Sequence, residues 1–486
     1  MSRPEPSSPF EPPFEPPFEL GRRRFLTGAA AGLGSLLFAP SLRGMPLAPG
    51  LVGGLPELPH HLPRAKRIVW LHMAGGPSSL DLFDPKPKLV EHDGEETPES
   101  FTEGERFAFI EGTPKLLGSP YSFAQHGESG AWVSELLPHT AGIVDKLCMV
   151  KTMRTTQFNH APAQLFLTSG YERVGRPSIG AWLSHGLGSE AADLPGFVVM
   201  LSGQFAPSGG NACWGAGFLP TRHQGVRLRS AGDPVLFLSD PHGVDTATRA
   251  RSLELLERMD RLADVGDPET DTRIAQRDLA RRMQGSVPGL ADLSSESAET
   301  LALYGAEPGV PSFAGNCLMA RRMLESGVRF VQLYDWGWDS HGTSPSDDII
   351  ESLPARCRAT DQASAALVLD LERRGMLEDT IVVWGGEFGR TPMNERRNGS
   401  TYLGRDHHPH AFTMWFAGGG FRPGTVFGET DELGYFPVGP EVGVHDLHAT
   451  LLHLFGIDHL RLTYPSQGRD FRLTDVAGVV RSELLA

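Results

Sequence analysis

The second half of the chain alternates between short apolar runs and longer stretches in which apolar residues have helical spacing. The elements that this pattern predicts are a helix over 313–326, a strand over 328–334, a helix over 360–374, strands over 380–384 and 412–416, and a helix over 445–455. Earlier in the chain, an apolar run over 68–73 predicts a buried strand that ends at the turn Gly75-Gly76-Pro77. Strands that alternate with helices of about ten or more residues favour a mostly parallel sheet with helices on both faces. The pattern therefore predicts an α/β three-layer sandwich.

One long segment departs from this alternation. Residues 246–306 have a helical pattern but are heavily charged, and residues 285–311 are rich in Ser, Gly and Pro. Such a solvated helical stretch is typical of an insertion rather than of a second catalytic core. We therefore expect one α/β domain over 64–475, with a helical insertion over about 246–311.

The first 54 residues are expected to lie outside this domain. Residues 9–19 repeat Pro-Phe-Glu, and their prolines exclude a helix. The arginines Arg22 and Arg23 then precede a weakly apolar, Gly/Ala-rich stretch over 28–40, which is typical of a twin-arginine signal. A membrane anchor is the alternative. A stable span needs about 18 apolar residues, whereas the stretch over 28–40 is shorter and is interrupted by glycines. We expect export by the twin-arginine translocase to the periplasm or the extracellular space, without a stable membrane span.

Charge and cysteine content narrow the functional classes. The formal net charge is −15 at pH 7, and no basic stripe or tail is present, so a protein that binds nucleic acid is disfavoured. The four cysteines are widely scattered and form no C-x-x-C pair, which excludes zinc-ribbon and thioredoxin-like motifs. One or two disulfides stay possible in an exported protein, but the sequence does not pair the cysteines.

Acidic and histidine side chains concentrate where the predicted strands end. Asp335, Asp339 and His341 follow one strand, and Glu387 follows the next. Parallel sheets bind ligands at the carboxyl ends of their strands, and an Asp-x-His pair suits zinc or a harder divalent cation. A candidate metal site is therefore predicted at this edge of the sheet. A buried histidine in a purely structural role is the alternative for any single position.

Two further segments carry candidate chemistry. The segment 404–410 brings one aspartate and three histidines within five residues: Asp406, His407, His408 and His410. The turn at Gly75-Gly76 precedes two serines and an aspartate, and its glycines allow backbone N–H groups to approach an anion. Taken alone, this turn is explained equally well as a plain connection.

Four segments, 73–85, 338–342, 386–392 and 404–409, resemble those of a bacterial exported family called domain of unknown function 1501. Residues 158–164 are also typical of it, and residues 446–457 are similar to the final helix of sulfatases. The resemblance covers about residues 64–475. It implies an alkaline-phosphatase-like fold, shared with sulfatases and phosphomutases.

This resemblance implies metal ligands residue by residue. Enzymes of the superfamily hold two metals with Asp and His side chains, and the first of these sites falls on Asp339, His341 and His407. At the second site the first-strand aspartate is missing, with Asp81 as the nearest substitute, and Glu387 replaces an Asp-His pair. One site for zinc, manganese, calcium or magnesium is therefore expected, whereas the second keeps only part of the superfamily's ligand pattern, with Glu387 and Asp81 as its candidate ligands. Around the ligands, the residues expected to orient imidazoles are Asp406, His410 and His160.

A nucleophile and charge-neutralising groups are implied beside the metal. Ser78 or Ser79 would attack, and Arg390 and Arg405 would offset negative charge, although an arginine there is as readily an ion-pair partner. The chain lacks the Cys/Ser-x-Pro-x-Arg motif of formylglycine sulfatases, which disfavours that class.

The leading hypothesis is an exported metal-dependent hydrolase of phosphate or sulfate esters, acting on a small molecule or a polysaccharide. A non-catalytic binding or assembly protein, which retains the fold with a degraded metal site, is the first alternative. A one-metal enzyme with other chemistry is the second.

Overall fold

The computed structural model describes residues 53–110, 112–203, 205–229, 235, 243–263, 268–395 and 399–486 of the chain. All but the last two residues of the expected signal segment, 1–54, lie outside these ranges. Within them, no helix has the length and apolar character needed to cross a bilayer.

The described part of the chain contains strands of two to eight residues. They are β1 (Arg67–Ala74), β2 (Lys115–Leu116), β3 (Phe123–His126), β4 (Ala131–Ser134), β5 (Leu147–Arg154), β6 (Phe197–Ser202), β7 (Val226–Leu228), β8 (Phe330–Trp336), β9 (Thr380–Gly385), β10 (Gly389–Asn394), β11 (Arg405–His408), β12 (Phe412–Ala417), β13 (Thr425–Phe427), β14 (Glu429–Thr430), β15 (Pro437–Val438), β16 (Val442–Gly443), β17 (Tyr464–Ser466) and β18 (Arg469–Phe471).

The helices of the described residues are α1 (Ser79–Leu82), α2 (Pro87–Glu91), α3 (Pro138–Ala141), α4 (His160–Ser169), α5 (Ile179–Leu187), α6 (Thr246–Ala263), α7 (Pro268–Ala291), α8 (Ala298–Tyr304), α9 (Phe313–Glu325), α10 (Ser352–Arg373) and α11 (Val444–Leu454). Helices α6, α7 and α8 occupy the segment that the charge pattern marks as a helical insertion.

A nine-stranded sheet forms the middle layer. Its strand order is β13-β5-β12-β9-β1-β8-β6-β7, and β16 also pairs with β5. Every pairing in this sheet is parallel except those of β12, which runs antiparallel to both β5 and β9. The predicted mostly parallel sheet is confirmed, and the three predicted strands that become β8, β1 and β9 are direct neighbours.

Two apolar cores cover the two faces of this sheet. Along β1, Val69 and Leu71 belong to one core and Ile68 and Trp70 to the other, because successive side chains of a strand point to opposite faces. The first core is filled by α9 and α10, and the second by α4, α5 and α11. Continuous burial of β1 and β9 explains why these strands read as unbroken apolar runs. The three-layer α/β fold is therefore confirmed.

The carboxyl ends of three adjacent strands, β1, β8 and β9, lie at the same edge of the sheet, where the candidate site was predicted. In the register of the sheet, Met73 of β1 lies beside Asp335 of β8, and His72 lies beside Gly385 of β9. A smaller sheet has the order β11-β10-β2; its strand β10 follows β9 in the chain, and β11 carries residues 405–408. The four cysteines are buried and form no disulfide.

Candidate metal centre

The turn after β1 packs directly against the turn that carries Asp339. Gly75 has φ +120°, and a Cβ at this position would lie 2.5 Å from the backbone nitrogen of Asp339. A side chain is therefore excluded here both by conformation and by space. The Trp338 N–H donates to the carbonyl of Ala74 at 3.2 Å, which ties the two turns together. Asp339 is thus placed at the sheet edge by backbone contacts.

A second close approach brings β11 against the same turn. A Cβ on Gly404 would lie 2.0 Å from the carbonyl carbon of His341, so only glycine allows the two segments to touch. The Arg405 N–H then donates to the carbonyl of Ser340 at 2.9 Å. These contacts set His407, two residues further on, beside the Asp339 turn.

Three imidazoles converge on the carboxylate of Asp339. The Nε2 atoms of His341 and His407 lie 2.8 and 3.2 Å from its Oδ1, and Nε2 of His160 lies 3.2 Å from its Oδ2. One ligand atom from each of the four residues lies within 4.8 Å of the others. We call this group the Asp339 cluster. The structure therefore brings together the three residues expected at the first metal site and adds His160, which was expected to orient a ligand.

Each histidine of the cluster is held through its other ring nitrogen. The Nδ1 contacts are His160 with Glu387 Oε1 at 2.8 Å, His407 with the Phe158 carbonyl at 2.6 Å, and His341 with Glu395 Oε2. An acceptor at Nδ1 fixes the tautomer with the proton on Nδ1 and leaves Nε2 as the ligand atom. All three imidazoles are thus oriented for coordination through Nε2.

This donor set fits a divalent metal. Three imidazole nitrogens and one carboxylate oxygen suit zinc and other first-row metals, and an imidazole backed by a carboxylate or a carbonyl is the usual arrangement at such sites. The residues that would hold the ion are those of the Asp339 cluster. The expected metal centre is thus consistent with the residues that the fold assembles.

The charges of the cluster are strongly coupled. Burial works against ionisation of Asp339, but the Arg390 guanidinium and the three histidines hold the pKa of this carboxyl well below its usual range. For His160, burial lowers the pKa, yet hydrogen bonds with Asp339 and Glu387 outweigh it and raise the pKa to about 9. Burial lowers the pKa of His407 to about 3, and Asp339 only partly offsets this.

Glu387, an expected ligand of the second metal, is fully buried among nitrogen groups. It accepts from the Gly75 N–H at 3.1 and 3.2 Å and from Nε2 of Gln164 at 2.8 Å, and it contacts His160 and His72. Although burial works against ionisation, contacts with His160 and His72 keep the pKa of Glu387 below its usual range. The carboxylate supports the cluster through His160.

Asp81, the other expected ligand of the second metal, lies in a buried ion pair. Its two oxygens accept from Nε and Nη2 of Arg405 at 2.7 and 3.0 Å, and the Ser78 hydroxyl donates to it at 2.5 Å. Arg405 also donates to the carbonyls of Leu117 and Thr391. Among the described residues, no hydrogen bond or ion pair joins Asp81, Ser78 or the Arg405 side chain to the Asp339 cluster.

Arg390 contacts the cluster, and its guanidinium also donates hydrogen bonds to backbone carbonyls. Its Nη2 donates to Asp339 Oδ1 at 2.6 Å, and its guanidinium donates to the carbonyls of Gly75, Gly76 and Arg405. Arg390 therefore orients Asp339 and fixes the turn after β1.

The side chains of Ser79 and Asp406 accept hydrogen bonds from backbone N–H groups. Ser79 accepts from the Thr413 N–H at 2.8 Å. Asp406 accepts from the N–H groups of Phe109, Ile110 and His407 at 2.8, 3.1 and 2.7 Å, and burial raises its pKa.

His410 contacts Glu105 Oε2 at 2.9 Å rather than an imidazole of the cluster.

Glu395 was not among the residues predicted from the sequence. It lies just after β10 and forms a second group of possible ligands with His341 and Asp406. An isolated acid after a short strand gives no signal of such a role.

The mostly parallel sheet and the histidine-rich cluster at its carboxyl edge define the class: an α/β protein with a candidate metal centre. The chain belongs to the family described as "Protein of unknown function (DUF1501)", whose model matches residues 65–485. No curated protein matches its sequence.

Solved structures similar to this chain include hydrolases. PsFucS1 sulfatase from Pseudoalteromonas sp. has a TM-score of 0.36 and 13% identity, with 87% of this chain and 72% of that chain covered. The alkaline phosphatase from the Antarctic bacterium TAB5 has a TM-score of 0.30 and 12% identity, with 80% and 98% covered. The phosphonate monoester hydrolase SpPMH from Silicibacter pomeroyi has a TM-score of 0.29 and 11% identity, with 66% and 68% covered.

Proposed function

We propose that this protein is an exported, metal-dependent hydrolase of phosphate or sulfate esters. One observation carries the proposal: three histidines, each held at Nδ1 by an acceptor, direct Nε2 to the same carboxylate. Histidines in a purely structural role need no common target. Convergence of this kind supports one metal site formed by His160, Asp339, His341 and His407.

The surrounding residues supply orientation and charge. When bound, a divalent ion would act as a Lewis acid toward the ester oxygens and would lower the pKa of an attacking hydroxyl. Glu387 and Glu395 hold two imidazoles from behind, and Arg390 holds the Asp339 carboxylate. Because these supporting groups are almost fully buried, the ligands are preorganised before a substrate arrives.

Ser79 is the better candidate for the nucleophile. Ser78 is 2% exposed and already donates its hydroxyl proton to Asp81. Ser79 is half-buried, and its oxygen accepts from the Thr413 N–H, which leaves its proton available for transfer to a base. The expected ester substrate is a small molecule or a polysaccharide.

The experiment combines metal content with an ester screen on the full chain. Protein loaded separately with zinc, manganese, calcium or magnesium is expected to retain about one ion per chain for at least one metal and to hydrolyse a phosphate or sulfate ester. His341→Ala is expected to lower metal retention at least about tenfold, because one of the four ligands is lost. The matched control His410→Ala removes a histidine of the neighbouring segment that contacts Glu105 instead and is expected to retain the metal.

Two outcomes would contradict the proposal. Equal metal loss in both histidine variants would show that the Asp339 cluster is not the site. One retained ion per chain without hydrolysis of any ester would favour the alternative of a binding or assembly protein.

A further inference from the structure

We infer that Phe109 and Trp336 form aromatic walls at the entrance of the metal centre and select esters whose alcohol part carries a ring, either aryl or sugar. This inference rests on the proposed function and concerns the substrate class of the same site.

The Asp339 cluster is open to solvent on one side. The Asp339 side chain is 25% exposed and that of His160 is 14% exposed, whereas those of His341 and His407 are 8% and 2% exposed. Glu387 and Glu395, behind the imidazoles, are fully buried as side chains. A ligand therefore reaches the centre from the side of Asp339 and His160.

Two partly exposed aromatic rings contact the imidazoles of the cluster. The Phe109 ring lies edge-on to two imidazoles, with its centroid 5.1 Å from that of His341 and 5.4 Å from that of His407. The half-buried Trp336 ring lies 5.7 Å from the His160 ring. Phe109 is 38% exposed. Both rings thus contact cluster imidazoles and retain surface on which a ligand can pack.

Phe109 is held in place by polar contacts of its own segment, residues 99–110. The N–H groups of Phe109 and Ile110 donate to Asp406 at 2.8 and 3.1 Å. Glu105, four residues earlier, accepts from the Tyr435 hydroxyl at 3.2 Å and contacts His410 at 2.9 Å. Asp406 and His410, which the sequence suggested as partners of metal ligands, thus anchor the segment that carries Phe109.

The chemistry of the opening defines the ligand class. Ligand sites usually combine apolar and aromatic walls with a few polar groups that fix orientation, and here the cluster would hold a tetrahedral oxyanion beside two rings. Aromatic contacts are worth about 0.5–1.5 kcal/mol each, or about 2- to 10-fold in affinity. A substrate whose substituent has a flat apolar face is therefore expected to bind more tightly than one that carries a methyl group.

The test uses pairs of non-hydrolysable probes that differ only in the ring. Binding of phenylphosphonate and methylphosphonate to the metal-loaded full chain is measured by calorimetry, and benzenesulfonate and methanesulfonate serve as the sulfate-like pair. The ring preference is read from whichever pair binds more tightly. Wild-type protein is expected to bind the ring-bearing probe about 10-fold more tightly than its methyl partner.

Phe109→Ala and Trp336→Ala are each expected to lower this ratio to about 3-fold or less without a change in metal content. The matched control is Trp132→Ala, which removes a 42% exposed tryptophan from strand β4 and should preserve the ratio. Phe109→Leu, which keeps most of the apolar volume but not the ring, replaces Phe109→Ala if that variant fails to fold.

The possible failures separate the two proposals. A ratio near one in wild type, or an unchanged ratio in both wall variants, overturns the role of Phe109 and Trp336 while anion binding at the metal stands. If the metal-loaded protein binds none of the four probes, the hydrolase proposal fails, and this inference fails with it.

Discussion

Glu395 gives the sharpest test of how the proposed metal ligands are held. Its carboxylate contacts Nδ1 of His341, and the two side chains are 0% and 8% exposed. Replacing Glu395 by Ala removes this acceptor, so that the imidazole loses the group that fixes its proton on Nδ1. Replacing it by Gln keeps a carbonyl acceptor of nearly the same size and removes only the charge.

The expected magnitudes follow from this difference. Loss of a group that orients a ligating histidine typically costs about 10- to 100-fold in metal affinity. Charge-assisted hydrogen bonds are roughly twice as strong as neutral ones. We therefore expect about 100-fold weaker metal binding for Glu395→Ala and about 10-fold weaker binding for Glu395→Gln. The fold should persist in both variants, since the two apolar cores do not depend on this side chain.

The assay is competition for zinc between the full-length protein and a chromophoric chelator at constant pH, with circular dichroism to verify folding. Glu441→Gln is the control, because Glu441 forms a surface pair with Arg154 in which the side chains are 39% and 47% exposed. Unchanged affinity in Glu395→Ala would refute the reasoning. Equal losses in Glu395→Ala and Glu395→Gln would show that the charge alone matters and that the retained hydrogen bond does not.

Three further expectations concern other parts of the chain. Asp81→Ala should destabilise the protein by about 3–5 kcal/mol in denaturant unfolding, because it leaves Arg405 buried without its partner. The metal content of this variant should stay unchanged, and loss of metal from the folded variant would instead indicate that Asp81 is a ligand. Ser79→Ala should lower steady-state hydrolysis by at least about 100-fold with unchanged metal content if the hydroxyl attacks the ester; retained turnover would exclude it. Replacing Arg22 and Arg23 together by Lys should leave the precursor in the cytoplasm, since the export receptor recognises guanidinium groups. Cell fractionation measures where the protein lies, and normal export of the double variant would contradict the signal.

Much of the fold could be predicted because the central strands are buried on both faces. The runs that become β1 and β9 are continuous and apolar, and the expected strand at 380–384 differs from β9 (Thr380–Gly385) by one residue. Strand β11 gave no such signal, because Arg405, Asp406 and the two histidines that follow are polar yet buried. Their burial is stabilised by hydrogen bonds to distant segments, which periodicity does not report.

The candidate site could be predicted only in part, for a similar reason. Asp339 and His341 follow the end of β8, so the parallel sheet places them at its carboxyl edge. His407 lies inside β11 of the small antiparallel sheet, and only the close approach of Gly404 to His341 brings it to the same place. His160 begins α4, and its contact with Asp339 depends on a loop that no pattern specifies. Which ring nitrogen faces the carboxylate depends on acceptors as far apart as Phe158, Glu387 and Glu395.

Asp81 and Glu387, which the resemblance suggested as ligands of a second metal, have other partners in the structure. Buried charges must be paired or hydrogen bonded, and the carboxylates suggested for a second metal are already satisfied by protein groups. Asp81 is neutralised by Arg405, and Glu387 accepts from Gly75 and Gln164 while supporting His160. Neither carboxylate requires a cation for its burial. The atoms that could coordinate a metal are grouped instead at the Asp339 cluster, where three imidazoles and a carboxylate meet. If the proposed function is right, hydrolysis should rise in proportion to occupancy up to one ion per chain.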